Sequence, residues 1–204
     1  SDGIYITPRR VGEDGWELSI KALIDNADCS HKARFTLIDA DGNEKASTIA
    51  DLRPIISAKL PVEDPVLWNG RKNPYLYTVR CEIFDSTTEE VTDNIDIRTG
   101  LREYHIDSHK GFFLNGEHIK LQGVSRHQDR ENMGNAITEK QHAEDVKIIL
   151  DVGANSVRLA HYQQNSYFYD LCDESGLLVW AEVPVISRFS PKRNENAEQQ
   201  LVEL

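Results

Sequence analysis

The sequence predicts two architectures in succession: an immunoglobulin-like β-sandwich over residues 1–102 and a parallel α/β sheet over residues 103–204. Short alternating strands separated by turn signals fill the first part, which is the pattern of a sandwich. In the second part the hydrophobic period changes, and an apolar strand-like run is followed by a helical pattern three times. Strands that alternate with helices predict right-handed crossovers and therefore a parallel sheet.

Three strands of the predicted sandwich stand out by their alternation. Residues 15–24 alternate well enough for a half-buried strand, residues 34–39 lead into a turn at 41–43, and residues 75–84 form the strongest strand. About seven strands of this kind in about 100 residues match the immunoglobulin-like count. No pair of cysteines marks the two sheets, so the prediction depends on the strand pattern alone.

The strand-like runs of the second part span residues 119–124, 156–159 and 177–180, and each ends in polar or ionisable side chains. Parallel strands gather the residues at their carboxyl ends, so we expect these side chains to line one polar pocket. The third run is apolar at every position, which predicts a strand covered on both faces. A fourth strand should pair with this sheet. We therefore expect either a chain cut from something longer or a homo-oligomer that covers the edge.

Helix-capping signals place the helices between these strands. A ribbon with a turn at residues 114–117 precedes the first helix, which begins at the capping box of Thr138 and Gln141. It is predicted to stop at Gly153, and a second helix runs from near Asn165 to Gly176. A third helix follows Pro191 and Asn194. The first helix carries Ala143, Val146, Ile149 and Leu150 on one face, the second is predicted to turn Phe168, Leu171 and Cys172 inward, and Ala197, Leu201 and Val202 recur at helical spacing in the third.

Composition excludes several classes of protein. The net charge is −11 and no run of Lys or Arg is longer than two, whereas nucleic-acid binding needs a basic face. No apolar stretch approaches the length of a membrane span, so no membrane partner is expected. The localisation stays open between cytoplasmic, periplasmic and secreted. The three cysteines lack metal-ligand spacing, and Cys81 and Cys172 are predicted to be buried thiols.

Polar residues at the first strand tip are the first candidates for a site. A histidine after a strand is more often structural than functional, but His127 has Arg126 and Asp129 as neighbours, and such a group suits a ligand rich in hydroxyls. His161 at the second tip has the same two interpretations. The remaining histidines lie in contexts typical of the surface and are assigned no role: His31, His105, His109, His118 and His142.

Arg158 and Glu182 form the second pair of candidates. Arg158 lies inside a strand, and a buried arginine needs an anionic partner. Glu182 at the third tip is favoured as that partner, although it could also be an acid, a base or a ligand anchor. Glu195 follows an asparagine in the first turn of the third helix, where the helix dipole favours acidic residues for structural reasons. A nucleotide-binding domain is disfavoured because residues 125–128 contain no glycine for a phosphate loop.

Several segments in the right order resemble glycoside hydrolase family 2, which includes β-galactosidases, β-glucuronidases and β-mannosidases. Residues 111–116 and 123–129 are similar to the entry to its catalytic barrel, and residues 155–162 and 169–182 are similar to the next strand, helix and strand. Leu67-Trp68 with residues 74–77 is similar to the end of its immunoglobulin-like domain. The resemblance implies that residues 103–204 are a partial (β/α)8 TIM barrel, comprising the first three βα units.

The resemblance also implies roles for the candidates. His127 and His161 match histidines that contact sugar hydroxyls, and Asp129 matches an acidic position that binds the sugar in some members. Arg158 matches the arginine that contacts the nucleophilic glutamate. Glu182 matches an acidic residue that supports the site without transferring the proton.

Departures from the family pattern limit what this chain is expected to do alone. The acid/base and nucleophile glutamates of the family follow its fourth and seventh strands, so they are expected beyond residue 204 and the 204 residues are predicted inactive. Some relatives bind magnesium after the third strand, but Ile186 and Arg188 occupy the comparable positions, so no metal or cofactor is expected. The predicted function is retaining hydrolysis of terminal β-galactosides by the intact protein. The alternatives are β-glucuronidase, another family 2 glycosidase, or a non-catalytic carbohydrate-binding or assembly module.

Overall fold

The computed structural model describes residues 3–12, 15–185 and 194–203 of the chain. It divides into two compact units. The first comprises Ser1–Asn69 and Asn73–Ile119, and the second comprises Gly70–Lys72 and Lys120–Leu204. No helix of the described residues has both the length and the apolarity that crossing a membrane requires.

The first unit is a β-sandwich of seven antiparallel strands, as the alternating pattern predicts. Three strands form one sheet in the order β1-β2-β5, and four form the other in the order β4-β3-β6-β7. The strands are β1 (Ile4–Val11), β2 (Gly15–Leu23), β3 (His31–Ile38), β4 (Glu44–Asp51), β5 (Ile55–Val62), β6 (Tyr77–Asp85) and β7 (Val91–Thr99).

Alternating apolar side chains from both sheets form the core of the sandwich. Leu18 of β2 and Leu60 of β5 meet Phe35 of β3 and Val79 of β6, and these side chains are at most 1% exposed. Burying each side chain of this size stabilises the fold by about 1.5–3 kcal/mol. The thiol of Cys81 lies in the same core, as predicted, and burial raises its pKa to about 11.

A three-stranded antiparallel ribbon completes the first unit: β8 (Tyr104–Asp107), β9 (Gly111–Leu114) and β10 (Glu117–Ile119). The predicted turn at 114–117 joins β9 to β10, with Asn115 and Gly116 both at positive φ. The Asn115 amide donates to the Trp68 carbonyl and accepts from the Glu103 amide. These bonds hold the ribbon to the sandwich, so residues 103–119 fold with the first unit. The predicted start of the second domain at residue 103 lies before this ribbon and stays a prediction.

The second unit contains a parallel sheet in the order β11-β12-β13. Its strands alternate along the chain with helices, and the elements are β11 (Gly123–Arg126), α1 (Glu139–Asp151), β12 (Ser156–Leu159), α2 (Ser166–Ser175), β13 (Leu178–Trp180) and α3 (Asn194–Glu203). The run at 119–124 combined two strands, because Ile119 ends the ribbon and the parallel strand begins at Gly123.

Predicted caps match the observed ends of the first two helices. The Thr138 amide donates to Gln141 at the start of α1. The Asn165 side chain accepts from the Tyr167 amide at the start of α2, and Gly176 ends α2 in the left-handed region at φ 73°. Of the signals before the third helix, Pro191 lies outside the described residues.

The inward face of α1 differs from the prediction at one position. Ala143 is exposed, and the buried face runs through His142, Val146 and Ile149, with Leu150 partly covered. His142 is 1% exposed, so its assignment to the surface was wrong. The spacing from 142 to 146 and 149 is helical, but the predicted stripe began at the apolar Ala143 and excluded the histidine.

The strand β13 is covered on one face only among the described residues. Leu177, just before it, is buried, and Val179 packs against the helices, but Trp180 is 61% exposed. The prediction of a strand covered on both faces was therefore wrong for this position. Trp180 pairs in register with Arg158, which places both on the face opposite Val157 and Val179.

Candidate functional site

The carboxyl ends of β11, β12 and β13 lie side by side. Ser125 is opposite Arg158, and Arg158 is opposite Trp180, so these three residues share one face of the sheet. The core of the second unit covers the other face, where Val157 and Leu159 are buried. A binding or catalytic site on this sheet is therefore expected at the carboxyl ends of the strands, on the face that carries Arg158.

Arg158 and Glu182 form a bidentate ion pair at these strand ends. The Arg158 Nε donates to Glu182 Oε1 at 2.5 Å, and Nη2 donates to Oε2 at 3.0 Å. The arginine side chain is 44% exposed, so the prediction of a buried arginine was wrong, whereas the predicted counter-ion is the observed one. Its hydrogen bonds to Arg158 lower the pKa of Glu182 and keep the carboxylate ionised.

His161 joins the same carboxylate. Its Nδ1 lies 3.0 Å from Glu182 Oε2 and 3.4 Å from Arg158 Nη2. An ionised carboxylate only accepts hydrogen bonds. His161 Nδ1 therefore carries a hydrogen and donates a hydrogen bond to Glu182. In the neutral ring Nε2 then keeps a lone pair, and no described residue bonds it.

The backbone at His161 is unusual. Its φ is 106°, a conformation that side-chain-bearing residues rarely adopt, and its amide bonds the Leu159 carbonyl two residues back. This tight turn directs the ring towards Glu182 immediately after the strand ends. Backbone strain of this kind is common at functional sites.

His127 lies next to His161. The centroids of the two imidazoles are 5.6 Å apart, and the rings are tilted by 67°. The Tyr162 ring lies 6.1 Å from His127, and its hydroxyl accepts from the Gln128 amide. His127 is exposed, so its ring is open to a ligand. The structure thus brings together His127, Arg158, His161 and Glu182.

Asp129 is not bonded to this cluster. Its side chain is exposed, and no described residue forms a hydrogen bond or ion pair with it. It follows His127 by two positions on the same loop. Its predicted contact with a sugar stays a prediction.

Arg126 faces away from the cluster. Its side chain is 5% exposed, its guanidinium lies 3.9 Å from the centre of the Phe168 ring, and Asp145 is its ion-pair partner. The interpretation of Arg126 as a ligand group beside His127 was wrong. Residues alternate between the two faces of a strand, so the neighbour of an outward His127 points inward.

Two residues around the cluster were assigned no role from the sequence. Gln163 donates to the Glu182 carbonyl at 3.0 Å and accepts from the Tyr169 hydroxyl at 2.7 Å, so it ties the loop after β12 to the loop after β13. Tyr162 supports the loop after β11. Both directly follow His161, and the polar run from 161 to 165 was the available signal.

The described residues contain no group of three or more His, Cys, Asp or Glu side chains arranged to hold a metal ion. The positions compared with magnesium ligands, Ile186 and Arg188, lie outside the described residues. Glu195 is in the first turn of α3, consistent with its structural interpretation.

Sequence models of one family match both units of the chain. The model described as "Glycosyl hydrolases family 2" matches residues 2–102, and the model described as "Glycosyl hydrolases family 2, TIM barrel domain" matches residues 106–203.

Named relatives include more than one kind of glycosidase. The chain is 36% identical to a β-glucuronidase of Bacteroides fragilis, with all of the chain and 31% of that protein covered. It is 31% identical to a β-galactosidase of Thermoanaerobacter pseudethanolicus, with 89% of the chain and 25% of that protein covered. The chain therefore spans about a third or less of the length of these relatives.

Solved structures show the same fold. The crystal structure of a β-glucuronidase from Bacteroides uniformis superposes with a TM-score of 0.88 at 31% identity, and the match covers all of this chain and 26% of that one.

Proposed function

The chain belongs to the family 2 glycosyl hydrolases, and we propose that its second unit forms the first three βα units of a (β/α)8 barrel that acts on a terminal β-glycoside. The observation that carries this proposal is the cluster of Arg158, Glu182, His161 and His127 at the carboxyl ends of three parallel strands. Active sites of such barrels lie at that end.

The two histidines suit the recognition of sugar hydroxyls. With Nδ1 donating to Glu182, Nε2 of His161 accepts a hydrogen bond from a hydroxyl, and protonation would turn it into a donor. His127 is exposed beside it and offers a second imidazole. Asp129 adds an unpaired carboxylate on the same loop, and carboxylates accept strongly from hydroxyl groups.

Arg158 suits the orientation of a nucleophile. Glu182 engages its Nε and Nη2, and no described residue bonds Nη1. We propose that Nη1 faces the carboxylate that attacks the sugar. A retaining glycosidase needs this carboxylate and a second carboxyl, the two being about 5–5.5 Å apart, to form and then hydrolyse a glycosyl-enzyme.

Glu182 does not suit the role of proton donor. A general acid that works near neutral pH needs a raised pKa, whereas Arg158 and His161 lower the pKa of Glu182. Both of its oxygens are also already bonded. We therefore propose that Glu182 holds Arg158 and His161 in place and that other carboxyl groups perform the chemistry.

A terminal β-galactoside is the proposed substrate, because the Arg-His-Gln-Asp-Arg sequence at 126–130 resembles the β-galactosidase form of the motif. A β-glucuronide is the second candidate, since a relative at 36% identity bears the name β-glucuronidase.

Kinetics on the gene product that contains these residues would test the proposal. We expect it to hydrolyse nitrophenyl β-galactoside or β-glucuronide but not the α-anomers, and NMR should find that the first-formed sugar retains the β configuration. Inversion, or no turnover of either β-glycoside, would contradict the proposed function. The 204 residues alone should show no hydrolysis, and turnover that disappears on His127→Ala would contradict that expectation.

A further inference from the structure

The segment from Arg126 to Arg130 alternates between anchored and exposed side chains. Arg126, Gln128 and Arg130 are bonded to the rest of the second unit, and Gln128 accepts from the Asn165 amide at 2.7 Å. His127 and Asp129, which lie between them, are exposed. Two of the proposed sugar-binding residues, His127 and Asp129, are thus held through their neighbours.

A single carboxylate on α1 binds both flanking arginines. Asp145 Oδ2 accepts from Arg126 Nε at 3.0 Å and from Nη2 at 2.8 Å. Asp145 Oδ1 accepts from Arg130 Nη2 at 2.6 Å. Arg130 also donates to Glu144 and to the Gln141 carbonyl, so three groups on or at the start of the same helix hold it.

The two arginines differ in burial, and this difference separates their roles. Arg126 is enclosed by Phe168, Gln164 and His142, so losing its pairing with Asp145 would leave an unpaired buried charge and strongly destabilise the fold. Arg130 has a side chain that is 29% exposed, so the fold can tolerate its loss. What Arg130 fixes is the far end of the loop that carries His127 and Asp129.

We propose that Asp145 and Arg130 are positioning residues that fix the loop at 127–129 so that His127 and Asp129 face the sugar. This inference rests on the proposed function. Neither residue touches the substrate, and each acts through the loop that lies between the two anchored arginines. A misplacement of about 1 Å at a site of this kind can cost about 100-fold in rate.

The test compares Arg130→Gln with a matched control on the same helix. Lys147→Gln breaks the exposed Lys147–Asp151 pair on α1 and leaves the loop alone. In the gene product that contains these residues, Arg130→Gln should lower kcat/KM for the β-glycoside by about 10- to 100-fold. The loss should appear mainly in KM, with the melting temperature close to that of Lys147→Gln, and Arg130→Lys should recover part of it.

A second measurement tests the inference independently of the proposed function. In the 204-residue chain, Arg130→Gln should speed amide hydrogen exchange at residues 127–130 and leave α1 unchanged. If the gene product hydrolyses no β-glycoside, the proposed function fails, and the exchange experiment alone decides whether Arg130 fixes the loop. Unchanged exchange at 127–130, or kcat/KM within about twofold of the parent enzyme, would overturn the inference.

Discussion

Glu182 is the residue on which the candidate site depends, because each of its carboxylate oxygens holds a neighbouring side chain. Arg158 bonds both oxygens and His161 bonds one. The pair is solvent-accessible, so its contribution to stability is small, and its importance is geometric. Losing the carboxylate would release the guanidinium and the imidazole together.

Glu182→Gln should therefore reduce activity far more than stability. In the gene product that contains these residues, we expect kcat/KM to fall by about 100-fold with a nearly unchanged melting temperature. Asp96→Asn is the matched control, since it breaks the exposed bidentate ion pair between Asp96 and Arg80 in the sandwich. Equal effects of the two substitutions on activity would contradict this role of Glu182.

Acid titration of Glu182 should detect its ion pair with Arg158. Because Arg158 lowers its pKa, the carboxyl contributes stability that is present above its unfolded pKa and is lost as the pH falls through the lower folded value. Carbon-13 NMR of the side-chain carboxyl should give a midpoint below about 4.3, the ordinary glutamate value. Arg158→Gln should raise this midpoint, whereas Arg80→Gln should leave it in place. A midpoint unmoved by Arg158→Gln would mean that the pair is absent in solution.

The sequence identified residues at the strand tips more reliably than it identified their surroundings. His127, His161, Arg158 and Glu182 lie together because parallel strands must end at one edge. The exposure of Arg158 could not be predicted, since it depends on which face of the sheet the helices cover. The burial of His142 had a signal in its helical spacing to Val146 and Ile149, which was not used because the residue is polar. For Arg126 the two-residue period of a strand was available and would have separated it from His127.

At the scale of the elements, the caps fix the ends of the helices and one of them also forms a close contact. Gly176 ends α2 at φ 73°, and a Cβ there would lie 2.3 Å from the Gly70 carbonyl oxygen. Gly153, after α1, has φ 79°, but a Cβ there would meet nothing within 4 Å. Both glycines therefore have a positive φ, but only Gly176 lies in close contact with another part of the backbone.

Alanine substitutions at these glycines should separate the two effects. Gly153→Ala should lower the free energy of unfolding by about 1 kcal/mol, the cost of a positive φ for a residue with a side chain. Gly176→Ala adds a steric overlap with backbone atoms that can shift only at a large energetic cost. We therefore expect the free energy of unfolding to fall by about 3 kcal/mol or more. Urea denaturation of the 204-residue chain, followed by circular dichroism, measures both. Equal losses would show that the close approach to Gly70 is unimportant.

Element ends were predictable where the chain carries a local signal and were missed where it does not. The capping residues Thr138, Asn165 and Gly176 specify backbone hydrogen bonds within a few positions. The run at 119–124 has no such mark, so the end of the ribbon and the start of β11 merged into one apolar stretch. Only the pairing of Glu117–Ile119 with β9 separates them, and that pairing is a tertiary contact.

At the scale of the whole molecule, the parallel sheet and the net charge make opposing contributions to association. Among the described residues, β13 is an edge of its sheet, and it carries the exposed apolar side chain of Trp180. Unpaired strand edges favour pairing with another chain. The net charge of −11 opposes the approach of two copies, and added salt screens that repulsion.

We therefore predict that the 204-residue chain self-associates through β13, and more strongly at high ionic strength. Light scattering across a concentration series, in low salt and at about 0.15 M, measures the mass; at the higher salt the Debye length is about 8 Å. Trp180→Lys places a charge on the edge without disturbing a buried side chain, so it should shift the equilibrium to the monomer. Val202→Lys is the control, because Val202 of α3 is 85% exposed and lies away from the sheet edge in sequence. A monomer at every concentration, or Trp180→Lys associating as strongly as the control, would exclude this edge as the interface.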